Sequence, residues 1–154
     1  ISFKREDFLA IGGFDNNFSK VAYRYESESA ERFVASGRVL VFEPKASIQH
    51  LKEKSGGTRS YGNHLTSIKA SHSVGMYYYF LVVKNQQARW HRFIKSPFTS
   101  CATRFHLKNP WYIPITFISQ ISGMIWAIYL RLNGQKLLTP ATIEQYQAKE
   151  RKYG

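Results

Sequence analysis

Two carboxylates stand two residues apart in the run Tyr23-Arg24-Tyr25-Glu26-Ser27-Glu28, where a loop pattern gives way to a helical one. Free backbone N–H groups at a helix N-terminus hold a carboxylate in its charged form, and a charged carboxylate there can take a proton from a hydroxyl. Acids are also common in the first turn of any helix, so spacing alone does not make the pair a site. His50 ends a segment in which Ala46, Ile48 and His50 alternate with Lys45, Ser47 and Gln49, and a lone histidine at a strand end is as a rule structural. Gly56-Gly57-Thr58-Arg59 offers backbone N–H groups and a guanidinium that match phosphate oxygens, or else a solvated basic loop. Asp15, after Gly12-Gly13-Phe14, suits contact with a polar acceptor or a turn held by its own side chain. His64, His72, His91 and His106 lack metal-ligand spacing with one another and are assigned no role.

The elements that must position these groups follow from periodicity. Ser2 to Ile11 reads as a short helix with Glu6 and Asp7 near its start, Phe8, Leu9 and Ile11 as its apolar set, and Gly12 capping its end. Gly13 to Asn17 is a turn that should bury the Phe14 ring. Ser27 to Ser36 suits a helix presenting Ala30, Phe33 and Val34 to a core, with Glu28 and Arg32 paired four apart and Gly37 ending it. Val39 to Phe42 reads as a short buried strand stopped before Pro44, and residues 45–50 as a second extended segment. His64 to Val83 can form a helix, residues 84–109 one or two short helices around Pro97, and the polar tail from Thr142 is expected to fray.

In this order, Phe3 to Asp15 with its Gly12-Gly13-Phe14-Asp15 turn, the acidic pair, Arg32 with Gly37, Val41-Phe42-Glu43-Pro44-Lys45-Ala46, and His50 resemble the C-terminal part of the catalytic domain of family 2 glycosyltransferases of the GT-A fold. The likeness is close over residues 1 to about 60 and extends beyond them only in general character. It implies an α/β fold with few short strands, followed by a mainly helical region. The family's acidic motif aligns Glu26 with the base that deprotonates the acceptor hydroxyl, and Glu28 with the acidic position two further on. Tyr25 replaces the acid that commonly precedes the base, and Glu31 stands where an apolar residue is usual. By the same resemblance His50 helps hold a divalent cation, Mn²⁺ or Mg²⁺, on the donor diphosphate; Mn²⁺ accepts imidazole more readily, and with Mg²⁺ the ring would touch a diphosphate oxygen. Arg59 would bind the diphosphate and Asp15 the acceptor. The Asp-x-Asp motif expected to supply the main metal ligands is absent from the sequence, so the chain reads as a fragment without the nucleotide-binding half. The implied reaction is inverting transfer from a nucleoside-diphosphate sugar to a saccharide or lipid-linked acceptor hydroxyl.

Charge divides the 154 residues unevenly. Residues 1–51 hold seven Lys/Arg and seven Asp/Glu, whereas residues 52–154 hold fifteen Lys/Arg against Glu53, Glu144 and Glu150 and so carry the whole net charge of +12. Such a cationic half calls for an anionic partner. Trp111 to Leu130 is long enough for a bilayer. Its polar or small stripe of Thr116, Ser119, Gln120 and Gly123, opposite Ile113, Phe117, Ile121, Met124 and Ile128, better suits a helix on a membrane surface or against its own domain. A single cysteine, Cys101, and no leader-like opening point to a cytoplasmic chain, peripheral at the inner face of the membrane. The expected organisation is an acceptor-side segment over 1–60, a helical basic extension over 61–140 and a polar tail over 141–154. The alternatives are an inactive transferase remnant or a non-catalytic module using Arg89-Trp90-His91-Arg92-Phe93 and Arg104-Phe105-His106 as a basic-aromatic surface. Without an RRM or KH signature, nucleic acid is not the expected partner.

Overall fold

The computed structural model describes residues 2–49, 60–83 and 89–145; 59 % of them are helical, and none lies in a strand. The expectation of an α/β fold is therefore overturned. Val39, Leu40, Val41 and Phe42 are exposed and outside any strand, and so are residues 46–49, which follow a turn at 44–45 closed by Ala46 N donating to Glu43 O (3.1 Å). A hydrophobic run can favour an extended backbone, but a strand exists only where a second segment completes its hydrogen-bond ladder, and no described segment does so here. His50 and Arg59 lie outside the described residues.

The helices are α1 (Arg5–Ala10), α2 (Tyr25–Ala35), a 3-10 turn (Ala70–His72), α3 (Val74–Val82), α4 (Arg89–Cys101), α5 (Arg104–Lys108) and α6 (Tyr112–Leu132), and residues 140–145, at the start of the polar tail, are helical as well. The helix expected over 64–83 begins only at Val74. Upstream, Asn63 Oδ1 accepts from Leu65 N (2.9 Å) and Ser67 Oγ from Lys69 N (3.2 Å), side-chain bonds that compete with helix formation.

Helix α3 is the centre of the core. Val74, Tyr77, Tyr78 and Tyr79 are buried with Phe18, Phe93 and Ala127, and α4 and α6 pack against it. Helix α6 meets α3 with its small and polar side: Thr116, Ser119, Gly123 and Ala127 are buried. A Cβ on Gly123 would overlap Ser73 Oγ, so glycine sets how closely the helices approach. The hydroxyls on this side are all engaged. Ser119 Oγ donates to Lys69 O (2.9 Å), Thr116 Oγ1 to Leu65 O (3.1 Å), and Ser73 Oγ to Ser119 O (3.0 Å). Buried His106 bridges Thr103 Oγ1 (2.7 Å) and Thr116 Oγ1 (2.8 Å), tying α5 to α6.

The front segment is an aromatic cluster in which Phe8 lies 4.8 Å from Phe3 and 4.6 Å from Phe14, whose ring is 4.9 Å from Tyr25. Phe14 is not buried as expected; it sits half-exposed on this cluster, its edge on Tyr25. Val34, also expected in the core, faces solvent, while Phe33 is buried. Residues 136–138 then return to the front: Asn16 N donates to Lys136 O (3.1 Å) and Leu138 N to Gly12 O (2.9 Å).

Candidate functional site

Helix α2 separates its two first-turn acids. Glu26 is exposed, whereas Glu28 is 1 % exposed. Two helical positions differ by about 200° around the axis, so one carboxylate faces out when the other faces in. Glu28 accepts from Arg32 through Nε (2.6 Å to Oε1) and Nη2 (3.0 Å to Oε2), and from Gln135 Nε2 (3.0 Å). The same guanidinium donates to Ile11 O and to Gly13 O (2.6 Å for the latter). The Glu28–Arg32 pair foreseen from spacing thus clamps α2 to the glycine turn. At that turn Gly12 has φ +83° and a Cβ there would come within 2.9 Å of Leu137 Cβ; both restrictions demand glycine.

Asp15 is also buried and fully engaged. Its Oδ1 accepts from Asn17 N (2.9 Å) and Lys136 N (3.0 Å), and its Oδ2 from the Tyr78 hydroxyl (2.7 Å). Asn17 Nδ2 donates to the Tyr78 oxygen (2.8 Å) and to Gly134 O (2.7 Å). These bonds join the front turn, α3 and the end of α6. Burial is the main cause that pushes the Tyr78 phenol above its ordinary value, with the Asp15 bond and charge adding to it. That phenol therefore remains the donor to Asp15.

Glu26 keeps one described side-chain bond, from the Tyr25 hydroxyl to its Oε1 (3.2 Å). Tyr25 is raised above its ordinary value by burial first, then by this bond and the Glu26 charge, so the phenol stays protonated at neutral pH. The loop delivering Glu26 is strained: Lys20, Ala22 and Arg24 have φ of 65°, 52° and 73°, each a conformation disfavoured by about 1–2 kcal/mol for an L-residue. Packing holds it there. Tyr23 O lies against Gly75 of α3 so closely that a Cβ would overlap it, and the Arg24 guanidinium stands 5.1 Å over the Tyr23 ring and 5.9 Å over Tyr79. Strain of this kind gathers at functional sites.

Beside Tyr23 opens a cavity of about 430 Å³ whose walls include His64, His72, Ser73, Thr116 and Gln120, within the roughly 300–1,000 Å³ of small-ligand pockets. The His64 and His72 rings are 6.1 Å apart. Among the described residues no three His, Cys, Asp or Glu side chains converge. His50, the residue that the resemblance assigns to the divalent cation, lies outside the described residues.

Of the five residues singled out from sequence, the fold brings Asp15, Glu26 and Glu28 around one turn and one helix end. Asn17, Tyr78, Gln135 and Lys136, which anchor two of those acids, were not among them. Tyr78 is 63 residues from Asp15 and Gln135 is 107 from Glu28, and no local pattern encodes such pairings.

No protein-family profile, curated protein or solved structure matches the chain.

Proposed function

We propose that this chain carries the acceptor-activating base of a nucleotide-sugar-dependent glycosyltransferase, and that Glu26 is that base. The observation that supports it is the division of labour in the acidic run: Glu28 is consumed by Arg32 and Gln135, while Glu26 faces solvent at the start of α2. The Tyr25 hydroxyl donates to the carboxylate and steadies it. Glu26 takes the proton of an acceptor hydroxyl as that oxygen attacks the anomeric carbon. The bond from that carbon to the nucleoside diphosphate breaks, with inversion, and the diphosphate leaves with the electron pair. Asp15, Glu28 and Arg32 are positioning residues that fix the glycine turn and α2 without touching substrate. Donor binding requires groups beyond these, Arg59 and an Asp-x-Asp bearing segment among them.

The test is nucleotide release from a panel of nucleoside-diphosphate sugars by the full-length protein, with and without saccharide acceptors. Glu26→Gln should lower transfer by about 10²–10⁴-fold, the range of a lost general base, while donor binding is unchanged. Undiminished transfer by the Glu26→Gln enzyme, or no release from any donor by the wild type, overturns the assignment.

A further inference from the structure

Helix α6 is built inside out for a helix in water. Its polar and small stripe is buried against α3, while Ile118, Ile125, Tyr129 and Leu132 face solvent, Ile125 64 % and Leu132 81 % exposed. On α4, Trp90, Ile94 and Phe98 recur every four residues, forming a second stripe that is 61–63 % exposed. The stripes meet where Phe98 lies 5.6 Å from Phe117 of α6. Trp111, at the start of α6, is 62 % exposed. Two adjoining apolar stripes on one surface exceed the scattered exposed residues normal for a soluble domain.

Charge identifies what covers them. Residues 60–145 hold nine Lys/Arg and a single acid, Glu144. Arg92 and Lys95 lie between Trp90 and Phe98 in the sequence of α4, and Arg104 and Lys108 of α5 lie near Trp111 in sequence; all four are exposed, with no ion pair among the described residues. We propose that the α4–α6 face seats on an anionic phospholipid bilayer, the apolar stripes entering the acyl boundary and these four cations meeting phosphate headgroups. Aromatic side chains with a polar edge, here Trp90, Trp111 and Tyr129, suit that depth.

The bilayer is touched along the side of α6 and not crossed by it. Thr116 and Ser119 bind the backbone of Leu65 and Lys69, in a stretch over 62–69 that is not regular helix. Spanning would draw that stretch into hydrocarbon, where its backbone groups could not be satisfied. This surface does not depend on the transferase reading.

The experiment is sedimentation of the full chain with vesicles of mixed phosphatidylglycerol and phosphatidylcholine, or of phosphatidylcholine alone. Binding is expected to the anionic vesicles, weakened by salt. Arg92→Glu with Lys95→Glu should weaken it by roughly a hundredfold or more, at about 1 kcal/mol per charge. Ile94→Ser with Phe98→Ser, both exposed and so tolerated by the fold, should weaken it at least about tenfold. Tryptophan fluorescence should be quenched more by lipids brominated near the headgroup than at the chain end. No vesicle binding by a chain with intact helical circular dichroism overturns the proposal. So does salt-sensitive RNA binding without vesicle affinity, strongest quenching from chain-end bromines, or a dimer that the serine variants dissociate while vesicle binding stays unchanged.

Discussion

Arg32 grips Glu28 with two prongs, 2.6 and 3.0 Å long, while its remaining donors reach Ile11 O and Gly13 O. One partly buried guanidinium therefore satisfies a buried carboxylate and two carbonyls of the glycine turn. Arg32→Met should destabilise the chain by about 3 kcal/mol, because the buried charge of Glu28 is left with only the neutral Gln135 amide beside it. Urea denaturation measures it, and a loss below about 1 kcal/mol would show that the clamp is not needed.

Glu26 and Glu28 should respond oppositely to the same change. Glu26→Gln alters an exposed side chain and should leave stability within about 0.5 kcal/mol while lowering transfer by about 10²–10⁴-fold. Glu28→Gln weakens the clamp, lowering the unfolding midpoint with a smaller effect on turnover by the folded fraction. Equal loss of stability in both variants would remove the distinction between base and buttress.

Gly75 is where α3 and the Tyr23 backbone touch. Gly75→Ala would push the loop of residues 20–24 off α3, with an overpacking cost of about 1–3 kcal/mol. Amide hydrogen exchange should rise first in that loop and in the first turn of α2. Unchanged protection there would mean the loop is held by other contacts.

Lys20 is exposed with φ +65°. Lys20→Gly relieves the left-handed strain at the expense of a freer unfolded chain, for an expected net gain of about 0.5–1 kcal/mol. Chemical denaturation checks the sign; a loss would show that the Lys20 side chain makes a contribution larger than the strain.

Burial raises the phenols of Tyr77 and Tyr78 well above the ordinary value of 10. The folded state thus holds these protons more tightly than the unfolded one. Their contribution to stability is complete below about pH 10 and is lost as pH rises above it toward the folded values, by at most about 1.4 kcal/mol per pH unit for each tyrosine. Unfolding free energy measured from pH 8 to 11 should be flat below about 10 and fall above it. Tyr78→Phe, less stable at pH 8 because Asp15 loses a donor, should show a shallower alkaline slope.

Read by itself, the amino-acid sequence determined the helices with strong local signals. Gly12 and Gly37 end α1 and α2, both with positive φ; the four-residue spacing of Glu28 and Arg32 foretold their pairing, and the apolar run after Lys108 foretold α6. These are interactions within one or two turns, where backbone geometry leaves few choices. Tertiary structure alone decided what depends on distant partners. Val39 to Phe42 has strand composition but no neighbour to complete a ladder. Phe14 was expected inside, yet Tyr25 and Phe8 offer it only an edge. Only the resemblance sets Glu26 apart from Asp15 and Glu28 in sequence, whereas in the fold Tyr78, Lys136 and Gln135, arriving from 63 to 121 residues away, occupy the other two and leave Glu26 facing water. A carboxylate's availability for chemistry is set by which hydrogen bonds it has already accepted, and those donors come from wherever the chain folds back.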